Sequence, residues 1–427
     1  VLAAAAWRAL PPDALALAPF RARQSLADRL TPPWLLATSE GLTETVVVMD
    51  APGEGKTLFT DGHPMSRSTV SAQRYMRAFV HVPLLHLDAP RSVLVICFGV
   101  GNTSHAASLH PSVHRIEVVD LSANVLRHAS LFSDTNGNVL EDPRTRVFVN
   151  DGRQHLRMRD GPALDLVTLE PPPLPFAGVH ALYSREFYEL VRDALAPGGF
   201  ATQWLPIRQV PEDVAREAVR AFVEVFPDAL LLNGSREEYI LVGRNEEPLS
   251  REPAELARRL DQRPAVAADL AATQITNATE WFGMFGGDGA SMRAATQGVP
   301  PLRDDRPRME AARIWFGTTG MPGDLFDVAR VGAWCHSCAL ADPGVDAPPG
   351  LADHLRLLDA LYDRTSSARA RAVRAQRPQP PGWTVPLSPD AYRAAFARSP
   401  YLRALRKARL LPDYAGFVAA KSQPPSD

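Results

Sequence analysis

The spacing of apolar positions changes several times along the chain, and those changes mark out its elements. The clearest stretch is 91–120, RSVLVICFGVGNTSHAASLHPSVHRIEVVD. Its unbroken apolar run, 93–98, has the length and β-branched content of a strand buried on both faces of a parallel sheet. The chain then turns on Gly99 and Gly101, and 103–109 reads as the opening turns of a helix. A second apolar run, 116–119, ends on Asp120. Strand, glycine turn, helix, strand and terminal acid make a βαβ unit of the nucleotide-binding kind.

The flanking patterns extend this unit in both directions. Between 34 and 61, TETVVVMD alternates, APGEGK turns, and KTLFTDG returns to Asp61-Gly62, which predicts a β-hairpin. Residues 71–87 carry apolar positions at helical spacing, with Tyr75 and His81 among them. After Asp120 the pattern predicts a helix over 122–132, a strand over 146–150 ending on Asp151-Gly152, and a helix over 154–158. The next strand, 164–169, stops at Glu170 before Pro171, Pro172 and Pro173, because proline fixes φ and removes a donor. A helix over 185–195 ends at Pro197-Gly198-Gly199, and the strand FATQWLP comes next, with Gln203 and Trp204 near its end. A helix over 210–226 and a hairpin turning at Asn233-Gly234 close the α/β unit near Arg244.

Beyond that point the signal is weaker. Residues 250–330 read as helices with loops. FGMFGGDG, 282–289, comes after no clear strand and reads as a flexible turn, and RDDRPRME is charged and broken by proline. Past 331 come Cys335-His336-Ser337-Cys338, a Pro/Gly-rich linker, and helices over 351–362 and 390–409. The expected organisation is a lead (1–33), a small β-hairpin domain plus helix (34–88), a Rossmann-like nucleoside-binding domain (89–245), a helical addition (246–330), and a Pro-rich linker with C-terminal helices (331–427).

Composition narrows the function classes. The chain has 427 residues, 45% of them hydrophobic, enough for a full core and more than one domain. A net charge of -2 gives no electrostatic basis for binding nucleic acid. Three cysteines argue against a disulfide framework and fit a reducing, cytoplasmic compartment. The single CxxC lacks a second ligand pair for zinc and has Ala339 where haem attachment needs His, so its cysteines read as incidental thiols and no metal is expected. VLAAAAWRAL at the start is far shorter than the ~20 residues of a membrane helix, and it could come after a membrane segment.

The candidate chemistry lies at the strand ends. Ser104 stands where the dinucleotide fingerprint has its third glycine, which disfavours a pyrophosphate ligand. A short glycine turn with an acid after the second strand suits a nucleoside without phosphates, such as S-adenosylmethionine (SAM). Asp120 can then accept ribose hydroxyls. Asp151 is placed either to meet an adenine amine or simply to cap the next helix. Glu170, held by prolines over the crevice, is the best-placed general base; partial burial would raise its pKa towards the working range, and the alternative is a solvated loop acid.

These residues, taken in order from about 40 to 244, resemble the spermidine synthase (polyamine aminopropyltransferase) family, closest to the branch fused to bacterial membrane segments. The resemblance rests on Asp61-Gly62, Tyr75, HVPLLHL, Gly99-Val100-Gly101, Val119-Asp120-Leu121, Asn150-Asp151-Gly152, and LYSREFYELVRDALAPGG leading into Gln203. It implies an α/β fold, a small β-domain before a Rossmann-like domain, commonly assembled as a homodimer. It also implies transfer of an aminopropyl group from decarboxylated SAM to an amine, with release of methylthioadenosine. On that pattern Gly99, Gly101, Asp120, Leu121, Asp151 and Gly152 would hold the nucleoside. Glu170 and Tyr75 would be catalytic, with Glu170 standing where the family has Asp, and Tyr183 and Gln203 would meet the acceptor.

The departures are concentrated on the amine side. Val100 replaces an acid, Cys97 a glycine, Ser71 and Ala72 an acidic pair, and Pro173 a second acid. A pocket without these acids should bind putrescine poorly, because burying unpaired charge is costly. Three functions are compatible with this pattern: a transferase using decarboxylated SAM or SAM with an acceptor other than plain putrescine; a SAM-cleaving enzyme with no acceptor; and a non-catalytic scaffold whose C-terminal helices bind a partner or membrane subunit.

Overall fold

The computed structural model describes residues 34–306 and 320–422, apart from positions 43, 52, 54, 173, 175, 237, 247 and 248. The lead over 1–33, Pro173, and the charged segment from 307 onwards lie outside the described residues. Mixed α/β architecture is built on two sheets. The first is antiparallel, with β1 (Leu35–Glu40), β2 (Thr45–Ala51), β3 (Gly55–Thr60) and β4 (His63–Arg67) in sequence order. The expected hairpin is its β2–β3 pair, with one further strand on each side. Asp61 and Gly62 join β3 to β4 with φ of 50° and 80°, the left-handed pair that a two-residue hairpin turn needs.

The second sheet is Rossmann-like and has eight strands. These are β5 (Ser92–Ile96), β6 (Arg115–Asp120), β7 (Thr145–Val149), β8 (Leu164–Leu169), β9 (Leu195–Leu205), β10 (Leu230–Ser235), β11 (Glu238–Arg244) and β12 (Phe285–Asp288). Their spatial order is β12-β10-β11-β9-β8-β5-β6-β7. The five strands β5 to β9 pair in parallel, and β10 to β12 pair antiparallel. β5 is buried along its whole length, as its apolar run requires. The chain leaves β5 towards β6 and β7 and returns to its other side for β8 and β9. Order therefore reverses between β5 and β8, and a crevice opens at the carboxyl ends of the strands there.

Five helices support this crevice: α1 (Val70–Leu84), α2 (Asn102–Ser108), α3 (Gly152–Met158), α4 (Pro264–Ala272) and α5 (Pro400–Lys407). The hydroxyl of Thr69 caps α1 by accepting the Ala72 N–H. Helix α1 is buried almost all round, its polar residues included. Arg74 pairs with Glu280 at 3.1 Å, both side chains fully buried. Arg77 pairs with Asp269 of α4, and His81 reaches the same carboxylate at 2.8 Å. The Arg74 guanidinium also lies 4.2 Å over the Tyr401 ring of α5. The Ser399 hydroxyl and the Tyr401 N–H both donate to Glu280. Helix α1 is thus clamped between the sheet and the C-terminal helices.

Several local expectations are corrected. The helix over 122–132 is two pieces, Ala123–Arg127 and a 3-10 turn over Ala129–Phe132, separated where His128 leaves helical geometry. The last hairpin does not turn at Asn233-Gly234. Both lie inside β10, where Asn233 is held by the Tyr362 and Tyr401 hydroxyls and a Cβ at Gly234 would stand 2.4 Å from that of Tyr75. The reversal falls after Ser235, with Arg236 at φ 36°. FGMFGGDG is not a flexible turn but carries the buried edge strand β12; its glycines admit the Phe326 ring and the Leu231 and Leu325 carbonyls. Cys335 and Cys338 are not free thiols but a disulfide, since a short 3-10 turn brings their Cα atoms to 5.2 Å. No helix among the described residues is long and apolar enough to cross a membrane.

Removing one partner of a buried ion pair leaves the other charge uncompensated. Glu280→Ala is expected to lower the unfolding free energy by roughly 3–5 kcal/mol in urea denaturation, while Arg74→Met with Glu280→Leu recovers most of it. A loss within experimental error would show that this pair does not hold α1.

Candidate active site

A cavity of about 1310 Å³ opens at the carboxyl ends of β5, β6, β7, β8 and β9 and runs beneath the antiparallel sheet. At one end the β5–α2 turn carries three left-handed residues in five: Cys97 at φ 69°, Gly99 at 57° and Gly101 at 87°. Left-handed geometry is costly for a residue with a Cβ, so Cys97 is strained backbone where a glycine would not be. Cys97 and Gly99 line the cavity, while Gly101 lies behind them as the N-cap of α2.

Asp120 ends β6 and faces the same space. Its carboxylate accepts the Phe98 N–H at 2.7 Å and the Ser122 N–H at 2.8 Å. Burial raises its pKa to about 6; the two N–H bonds oppose this, and the nearby Glu44 charge adds to the rise. Glu44 accepts the Ser122 hydroxyl at 2.5 Å and also lines the cavity. Two carboxylates therefore converge where one was expected. Leu121 forms an exposed rim. Asp151 caps α3 by accepting the Gln154 N–H at 2.8 Å, and it also lines the cavity. Gly152 is required by packing, because a Cβ there would lie 2.3 Å from the Ile96 side chain.

Glu170 stands at the end of β8, at the middle of the strand order. The Tyr75 hydroxyl donates to its Oε1 at 2.5 Å. Burial pushes the Glu170 pKa up to about 8; the Tyr75 hydrogen bond opposes this, and Glu238 adds to it. Burial, then the charges of Glu170 and Glu238, hold the Tyr75 phenol well above its ordinary value, so it is a neutral donor. Glu238, at the start of β11, accepts the Trp204 indole N–H at 2.7 Å and lines the cavity beside them. It lies in a hairpin 68 positions after Glu170, with no motif around it; its charge in the strand-end position of a hairpin was the only available signal. The Cys97 thiol is kept protonated by burial and by the surrounding carboxylates.

The acceptor-side expectations divide. Tyr183 and Gln203 are fully buried neighbours that do not line the cavity; Gln203 donates to the Trp204 carbonyl at 3.3 Å. Val100 is likewise turned into the core. Ser71 and Ala72 do line the cavity, and Ser71 shares a 2.5 Å hydrogen bond with Ser235. Among the described residues no group of three His, Cys, Asp or Glu is placed to hold a metal. The arrangement offers hydroxyl acceptors at one end, a proton acceptor with a raised pKa in the middle, and a polar wall at the other end.

Residues 72–229 match the family model of the spermine/spermidine synthase domain. The polyamine aminopropyltransferase of Aeropyrum pernix is 30% identical over 172 residues, 40% of this chain and 54% of its own length. Polyamine aminopropyltransferase 2 of Pseudomonas aeruginosa is 33% identical over 159 residues, 36% of this chain and 45% of its own. The chain thus spans about half the length of these relatives. The crystal structure of spermidine synthase from Thermotoga maritima aligns with a TM-score of 0.44 at 20% identity, covering 50% of this chain and 73% of that one.

Glu170 also gives the protein a pH signature. Its folded pKa, about 8, lies above the ordinary carboxylate value, so between pH 4.5 and 8 the folded state holds a proton that the unfolded chain has lost. Stability contributed this way is present below that window and falls as pH rises through it. Melting temperatures of Glu170→Gln should match wild type near pH 4.5 and exceed it increasingly up to pH 8. Parallel curves would place Glu170 in water.

Proposed function

We propose that this chain, whose residues 72–229 match the spermine/spermidine synthase domain, is an alkyltransferase that takes decarboxylated SAM as donor and an amine other than plain putrescine as acceptor. The observation that carries the reading is the position of Glu170. It lies at the switch in strand order, between Asp120 and Glu44 on one side and Trp204 and Glu238 on the other, with a proton affinity raised into the working range. On this reading Asp120 and Glu44 accept the ribose hydroxyls, Asp151 meets the adenine amine, and Gly99 lets the backbone approach the nucleoside.

The reaction is one displacement. The acceptor nitrogen attacks the aminopropyl carbon bound to the sulfonium, the C–N bond forms, and the C–S bond breaks. Sulfur keeps the electron pair as neutral methylthioadenosine. The nitrogen then sheds a proton to Glu170, and the Tyr75 hydroxyl keeps the carboxylate oriented. The leaving group is already activated by its charge, so the protein contributes mainly alignment and a proton acceptor matched to neutral pH. The cationic donor lowers the Glu170 pKa as it binds, which prepares the ionised base in the ternary complex.

Incubation with decarboxylated SAM and a panel of amines, followed by mass spectrometry, should show methylthioadenosine released only when both are present. Release from SAM alone would replace this reading with self-cleavage of the donor. In the active pair Glu170→Gln should lower kcat by about 10²–10⁴-fold while leaving methylthioadenosine affinity within about twofold. Asp120→Ala should abolish methylthioadenosine binding in calorimetry with the circular dichroism spectrum retained; unchanged affinity would remove Asp120 from the nucleoside site.

A further inference from the structure

Part of the cavity wall comes from outside the matched domain, which ends at residue 229. Ser235, Arg236, Glu238, Gln274, Tyr401 and Ala404 all line the same space as Glu170. Strand order says where they sit. The nucleoside-side residues lie at the ends of β5, β6 and β7, Glu170 at the end of β8, and Ser235 to Glu238 connect β10 and β11, on the far side of β9. Tyr401 belongs to that far side, because the Arg236 backbone and the Asn233 side chain of the hairpin both bond its hydroxyl. One helical turn later, Ala404 faces the cavity from the same side of α5.

This wall is built rather than incidental. Tyr401 is buried, its ring lies under the Arg74 guanidinium, and the N-terminus of α5 is tied to Glu280 through Ser399 and Tyr401. Arg74 precedes Tyr75, so the residue that orients Glu170 and the residue that closes the far end share one clamp. Charge at this end differs from charge in the middle. Glu238 is the only carboxylate that the far side contributes among the described lining residues. It is spent beside Trp204 and Glu170, and the Arg74 charge over the Tyr401 ring is neutralised by the buried Glu280, so the charge that this end presents to the cavity is that of Arg236. A second ammonium would meet the Arg236 guanidinium there, and among the described far-side lining residues no carboxylate beyond Glu238 is left to pair with it.

We infer that the end of the cavity walled by Tyr401, Ala404 and Gln274 is the acceptor subsite, and that it takes the non-cationic tail of a primary monoamine. This rests on the transferase reading above. The amine end meets Glu170 and Glu238, and the tail runs towards α5. The absence of a side chain beyond Cβ at residue 404 sets how long that tail can be.

The test uses the full chain with decarboxylated SAM and three acceptors: putrescine, n-hexylamine and 6-aminohexanoate. Wild type should show kcat/KM at least ~10-fold higher for one of the monoamines than for putrescine. The carboxylate arm tells an anionic tail from an apolar one. Ala404→Trp, and the milder Ala404→Leu, should lower kcat/KM for the preferred acceptor by about tenfold or more and restore relative preference for shorter amines. Their methylthioadenosine affinity should stay within about twofold of wild type, which also shows that they fold. Putrescine preferred by wild type, or acceptor preference unmoved in both variants at retained nucleoside affinity, overturns the proposal. Wild type that binds no methylthioadenosine overturns the transferase reading itself and the proposal with it.

Discussion

The structure depends on the neutralisation of one buried helix. Helix α1 carries two arginines into the buried interior, so each must find a carboxylate or the helix cannot seat. Glu280 and Asp269 supply the partners, and both come from the second half of the chain. The parallel strands alone would give α1 an apolar floor but nothing for its polar face. That requirement gives a physical reason why the parallel sheet is accompanied by additional helical structure packed on the side of the cavity.

Chemistry is set by where the strands end. The crevice at the switch in strand order collects residues from the tips of five strands, and their environments separate their roles. Asp120 keeps a modest rise in pKa because backbone N–H groups satisfy it, whereas Glu170 rises further with only a phenol donating to it. A carboxylate left short of donors and cations holds its proton to higher pH, and a positive charge brought beside it would favour its release. The same low-dielectric surroundings keep Tyr75 and Cys97 neutral, so they shape the site without contributing charge.

Much of the β5–β6 side of the cavity is legible in the sequence because it is local. Strand, turn and acid lie within 30 residues, and the buried run of β5, the left-handed glycines and Asp120 all leave short-range signatures. Glu170 was legible for the same reason, since a strand stopped by prolines names its last residue. The rest was hidden by distance or by lost periodicity. Glu44, Glu238 and Tyr401 reach the cavity through tertiary contacts that no spacing encodes. β12 was misread because glycines chosen for close packing erase the alternation that marks a strand. Tyr183 and Gln203 sit beside the site in sequence pattern, yet the pleat of β9 and the packing around it turn them inward.

The clamp on α1 also orders events during synthesis. Arg74 and Glu280 are 206 residues apart, and Ser399 lies a further 119 beyond. Chains fold from the N-terminus as they are made, and contacts of such long sequence separation close last. A nascent chain can therefore assemble the grip formed by Gly99, Asp120 and Asp151 long before Tyr75 is seated against Glu170. On the proposed reading, a half-made polypeptide would hold a nucleoside cradle and no aligned proton acceptor. The proposed proton acceptor and the proposed acceptor wall would then be completed in the same step, when the last helices dock.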